Sequence, residues 1–209
     1  MSVLKNDDVF KQTMINLKNA AMQWSFEKLN TVYDDPDPNS LPSQTDNYNY
    51  NPFSGSIGSP FAEYSWNTGI KGVIHSHFNG HLSIFSPQDL KDMYQKMLYT
   101  QVTDDFFYGV VTHSGTGYIL QIKDRNAFIQ FGNKYLADDY DFSQFEIDNF
   151  NEKYKIKTGN PVSLNELGFV KMMDKLNVGL NVYKATDLTF SDYQKLDYVN
   201  SQVKPSNCN

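Results

Sequence analysis

The chain has 209 residues, 40% of them hydrophobic and 15% aromatic, with a formal net charge of −6. That is enough apolar material to pack one sizeable domain, or a domain with an appended part. The acidic balance and a single arginine, Arg125, leave no basic stripe for a nucleic-acid partner. No apolar run reaches the ~18 residues that a membrane span needs, and the opening MSVLKNDDVFKQ holds no hydrophobic signal core. Location stays open between the cytoplasm and export as part of a longer protein. Cys208 is the only cysteine, so no intrachain disulfide forms.

In chain order, residues 8–22 read as a helix, with Val9, Phe10, Met14, Leu17 and Ala21 spaced toward one face. Residues 23–33, QWSFEKLNTVY, place Trp24, Phe26 and Val32 as in a strand that opens a hairpin. Residues 34–60 then hold five of the eight prolines among Asn, Asp and Ser, with no period, and read as a long loop. Residues 70–74 make a short apolar strand. Leu90, Met93, Tyr94, Met97 and Leu98 follow at helical spacing after Ser86-Pro87. FFYGVVT (106–112) is a strong strand, SGTG (114–117) a turn, and residues 118–122 the returning arm. Residues 125–135 fit strand or helix, and residues 138–157 read as a helix rich in acidic and aromatic side chains. Ser163 is placed to cap a further helix whose apolar positions are Leu164, Leu167, Val170 and Leu176. Residues 178–183 form a strand, and the polar, Pro-containing tail reads as frayed. There is no internal repeat. The mixture predicts an α/β fold in which a mixed central sheet is flanked by helices.

The chemistry concentrates in GVIHSHFNGHLSIFSPQDL, residues 72–90, which holds three of the four histidines. On a strand, residues i and i+2 share a face, so His75 and His77 project together, within reach of one metal ion. Asp89 lies twelve residues after His77, in the first turn of the following helix, with Ser86 placed as N-cap and Pro87 as first helical residue. If that helix packs beside the strand end, Asp89 completes a three-ligand set of the kind that catalytic zinc takes, leaving a fourth position for water. Water on such an ion becomes a nucleophile near neutral pH. The same Ser86-Pro-Gln-Asp89 also reads as a plain capping box, and paired histidines are common on surfaces.

HSH, eight residues, then SPQD resembles the HxH…SxxD signature of the JAB/MPN/JAMM metallopeptidases, in a bacterial branch. The likeness covers residues 71–98. Phe78 stands where that family often has proline, and the gap before Ser86 is one residue longer. The resemblance implies a JAMM-like core over residues 1–135 and a C-terminal α/β extension over residues 136–209, packed on the core. It implies a zinc hydrolase of peptide or isopeptide bonds acting on a protein or peptide. His75, His77 and Asp89 would hold Zn²⁺, and Ser86 would stabilise the oxyanion. A glutamate on an upstream strand would serve as general base. Three positions compete for that role: Glu27 at a family-like distance, Gln23 in the same slot on a shifted alignment, and Glu63 only twelve residues before His75. A glutamine cannot accept the water's proton. With Gln23 in the slot, the chain becomes a catalytically inactive binding module. A further reading is the effector domain of a larger secreted protein, with an immunity or partner protein.

Other residues fit bland roles. His81, inside the turn, reads by default as a solvated loop histidine, with contact to metal or substrate as the alternative; His113 reads as a surface histidine, Ser76 and Ser83 lack a base at helpful spacing, and Cys208 has no defined environment. The acidic runs at 34–37 and 138–141 lack the ordered spacing and glycine of a calcium loop and read as solvated faces. Phe142, Phe145 and Phe150 read as core.

Overall fold

The structure, a computed structural model, describes residues 4–34, 48–57, 59, 61–64, 69–99 and 102–207. Cys208, Asp35 and Asp37, and most of the Pro-rich stretch lie outside them.

Helix α1 (Asp8–Gln23) starts at Asp7, whose carboxylate accepts from Phe10 N at 2.8 Å. Phe10, Met14, Leu17 and Ala21 are buried along one stripe. Val9, a hundred degrees round from Phe10, is 37% exposed and falls off that stripe. The strand expected over residues 23–33 begins later, as β1 (Lys28–Asp34). Gln23 still belongs to the helix, whose last turn Trp24 closes by donating its N–H to Ala20 O at 2.9 Å.

A second strand, β2 (Tyr48–Ser54), runs through the stretch expected to be one long loop. It pairs antiparallel with β1, from Lys28↔Ser54 to Asp34↔Tyr48. Its composition hides it: β2 is an edge strand, and an edge tolerates Pro52 and a half-exposed polar face. β3 (Ile70–His77) carries the expected short strand three residues further, through both histidines.

β4 (Phe107–Thr112) and β5 (Gly117–Ile122) form the expected hairpin. Residues 125–135, open between strand and helix by sequence, are helix α3 (Arg125–Tyr135), capped by Asp124, which accepts from Ala127 N at 3.0 Å. The next helical stretch is α4 (Asp139–Gln144), continuing as a π-helix over Phe145–Lys153. Phe145 and Phe150 are buried there. Helix α5 (Val162–Lys175) begins one residue before Ser163, so Ser163 lies inside its first turn. Pro161 stands at the cap position without a side-chain hydrogen bond. Its buried positions are Asn165, Gly168, Phe169, Val170, Met172 and Met173, while Leu164 points to solvent.

The tail is ordered, against expectation. β6 (Leu180–Ala185), β7 (Tyr193–Val199) and β8 (Gln202–Asn207) follow in antiparallel succession. Asn200 and Ser201 form the β7–β8 turn, both with positive φ (52° and 63°), the backbone that a tight two-residue hairpin requires. Neither residue is a glycine, so the turn left no plain mark in the sequence.

Among the described residues there are five α-helices and one eight-stranded sheet, in the order β2-β1-β3-β4-β5-β6-β7-β8. This is the expected α/β class with a mixed central sheet. Only β3 and β4 run parallel, joined through α2 (Pro87–Tyr99) as a βαβ unit. One sheet face packs on α1 through Phe10, Met14, Leu17, Val32, Ile74 and Phe107. The other buries Val73, Tyr108, Val110, Tyr118 and Leu120 against residues of α2, α3, the π-helix and α5. No described helix is long and apolar enough to cross a membrane.

Helix α2 is seated on α3 through a close approach. A Cβ at Gly132 would penetrate the ring of Tyr94. Gly132→Ala therefore sets an intrinsic helix gain of about 0.5–1 kcal/mol against overpacking of roughly 1–3 kcal/mol. A net loss of stability is expected, read as a lower midpoint in chemical denaturation.

Candidate metal centre

β3 lies between β1 and β4, with His75 opposite Leu29 on one side and Val110 on the other. Val73, His75 and His77 share one face by strand alternation, the face covered by α2. Ser76, between the histidines, accepts from Lys28 N at 2.9 Å and so ties β3 to the start of β1. The loop after His77 leads to Ser86. There Ser86 Oγ accepts from Asp89 N at 3.2 Å, and Ser86 N donates to Asp89 Oδ2 at 2.6 Å. This is the capping box. Leu90, Met93, Tyr94 and Met97 bury the inner stripe of α2, which brings its first turn over the end of β3.

Capping residue and candidate ligand are thus one carboxylate. His75 Nε2 lies 3.1 Å from His77 Nε2 and 3.1 Å from Asp89 Oδ1, and His77 Nε2 lies 3.4 Å from Asp89 Oδ2. All three residues are buried. A tetrahedral zinc ion with nitrogen and oxygen ligands at its usual bond lengths needs ligand atoms about 3.3–3.5 Å apart; the spacings here are equal to that or a few tenths of an ångström shorter, so a small outward shift of His75 seats such an ion. His77 Nδ1 donates to Leu82 O at 2.9 Å, which leaves the Nε2 lone pair of the neutral ring facing the group. Ser86 Oγ donates to Asp89 Oδ2 at 2.9 Å and helps orient that carboxylate.

The electrostatics follow from burial. Burial opposes charge on His75, but Asp89 and Glu27 more than offset it and lift its pKa to about 9. Burial likewise opposes ionisation of Asp89, and His75 and His77 hold its pKa well below the ordinary carboxylate value. Protonated His75 balances a buried carboxylate, a balance that a divalent cation takes over on binding, with release of the proton.

The group opens on a cleft of about 680 Å³ that Glu27 and Ser86 also line. Glu27 directly precedes β1. Its Oε2 accepts from Ala62 N at 3.2 Å, and burial raises its pKa, partly countered by His75 and His77. Gln23 is exposed on the last turn of α1 and Glu63 is exposed after Ala62; neither lines the cleft. His81, read by sequence by default as a solvated loop residue, lines the cleft as well. Burial and neighbouring His77 lower its pKa to about 4. His113 lies elsewhere, its Nδ1 3.1 Å from Ala21 O. Ser83 accepts from Asn165 Nδ2 at 3.0 Å, a structural tie between α5 and the loop before Ser86.

Several cleft residues escaped sequence reasoning. Asp92, one turn beyond Asp89, accepts from Tyr64 Oη at 2.7 Å and Tyr108 Oη at 3.1 Å, and Lys96 sits 3.4 Å away. Tyr108 packs edge-on to His75 at 5.4 Å between centroids. Phe61, Phe142 and Glu146 form the outer walls. The i+3 spacing from Asp89 could have flagged Asp92. The tyrosines reach it from distant segments, and nothing local marks them.

Compared with known protein families and with curated proteins, the chain matches none. The structure itself defines a mixed α/β protein with a buried His–His–Asp group able to hold a metal ion. This arrangement is compatible with the JAMM motif.

Ser86→Ala removes the cap and a hydrogen bond to a ligand together. The expected cost is about 1 kcal/mol of stability and roughly 10–100-fold in zinc affinity. Denaturation and competition against a chromophoric chelator read the two effects separately, and His113→Ala is expected to leave zinc affinity unchanged.

Proposed function

We propose that the chain is a zinc-dependent metallopeptidase of the JAMM type, hydrolysing a peptide or isopeptide bond of a protein or peptide substrate. The observation that carries this reading is the buried Glu27 carboxylate sharing one cleft with His75, His77 and Asp89. Bound by those three residues, zinc supplies a Lewis acid that polarises the scissile carbonyl and activates water. Glu27 accepts the proton from the attacking water and returns it to the leaving amine; burial raises its pKa and His75 and His77 lower it. Ser86, half-buried beside the cleft, turns its hydroxyl from Asp89 Oδ2 to the carbonyl oxygen as negative charge develops there, while its backbone N–H keeps hold of Asp89. Leu29, Phe61 and Phe142 give the cleft apolar walls against a bound chain. The exposed position of Gln23 on the last turn of α1, away from the cleft, supports Glu27 over Gln23 as the base.

The test uses zinc-loaded protein with fluorogenic peptide and isopeptide substrates. Glu27→Gln is expected to keep its zinc and lose at least about 10²-fold in kcat/KM. His77→Ala is expected to lose most of its zinc. Hydrolysis that persists at full rate in Glu27→Gln contradicts the assigned base, and unchanged zinc in His77→Ala contradicts the assigned centre.

A further inference from the structure

A second set of ligands overlaps the first. Glu27, His77 and His81 offer atoms that all lie within 4.8 Å of one another, as those of His75, His77 and Asp89 do. His81 is held in place rather than loosely solvated. Gly80, at φ 96°, turns the chain, and His81 N donates to Phe78 O at 3.1 Å. The imidazole packs tilted against Phe78, with centroids 3.9 Å apart, and lies 5.6 Å from Phe61 and 5.7 Å from His77 between centroids. No hydrogen bond among the described residues engages its ring nitrogens, which leaves a lone pair available beside a buried carboxylate. Imidazole nitrogen and carboxylate oxygen are both ligands that zinc takes.

His77 cannot serve two ions. Its Nδ1 donates to Leu82 O, so one nitrogen faces the site. With that nitrogen committed to the inner group, an outer ion would have Glu27 and His81 as protein ligands and solvent for the rest. Two ligands hold an ion more weakly than three, which sets the filling order.

We propose that Glu27 and His81 form a second, weaker zinc site at the mouth of the inner centre, filled only when zinc is in excess. An ion there occupies the carboxylate that otherwise accepts the water's proton. Excess zinc therefore silences the centre, a consequence that rests on the peptidase reading, whereas the binding itself does not.

The experiment is equilibrium dialysis of the purified chain against rising Zn²⁺, with metal counted by elemental analysis, for the wild type, His81→Ala and Glu27→Gln. Wild type is expected to bind one zinc tightly and a second in a separate, weaker phase. Each variant is expected to keep the first and to weaken the second at least about tenfold, as loss of one of two protein ligands implies. Saturation of wild type at one zinc overturns the second site and leaves the inner one standing. A second zinc retained undiminished in both variants marks an adventitious surface ion and also overturns it. No zinc bound at any concentration overturns both the second site and the inner metal centre.

Discussion

Three chargeable side chains buried within 3.1–3.4 Å of one another are the constraint on which the site depends. Burying an unpaired carboxylate costs several kcal/mol, and Asp89 is buried beside two imidazoles. The cost is met locally: a positive partner at His75, two hydrogen bonds from Ser86, and a fixed tautomer at His77. Breaking any of these leaves charge stranded in the interior. A divalent cation suits the same arrangement, because the ligand spacings of 3.1–3.4 Å lie close to those of a tetrahedron.

The rest of the fold holds that cluster still. The central place of β3, paired on both edges, fixes the two histidines to one face. The parallel β3–α2–β4 unit sets the first turn of α2 over the strand end, and Tyr94 against Gly132 locks α2 to α3. The C-terminal third contributes as well. β6 extends the sheet from β5, and Asn165 of α5 reaches Ser83 in the loop before the capping box. Phe142 and Glu146 from the helical segment after α3 wall the cleft. The long-range hydrogen bond through Asn165 ties the last helix to the loop between His77 and Ser86.

What could be read in the sequence was what local rules control. Period-two alternation put His75 and His77 together, and cap chemistry put Ser86 and Asp89 at a helix start. The position of Glu27 was ambiguous, because it depends on where β1 begins, and pairing with β3 decides that rather than any local pattern. β2 and the β7–β8 hairpin were missed for related reasons. An Asn-rich edge strand and a turn made of Asn200 and Ser201 owe their conformation to a neighbouring strand. For His81 the sequence left a solvated loop residue and a metal or substrate contact both open, and the Gly80 turn that brings its ring beside His77 is a backbone feature no side-chain pattern shows.

The most direct measurement is X-ray absorption at the zinc edge on protein loaded with one equivalent of zinc. The expected spectrum is that of zinc with two imidazole ligands and oxygen completing a low-coordinate shell, as His75, His77 and Asp89 require. In His77→Ala, which is expected to lose most of its zinc, the signal of the two-imidazole shell is expected to disappear. A shell of six oxygens, or a spectrum unaltered by that substitution, would contradict a metal centre built on these three residues.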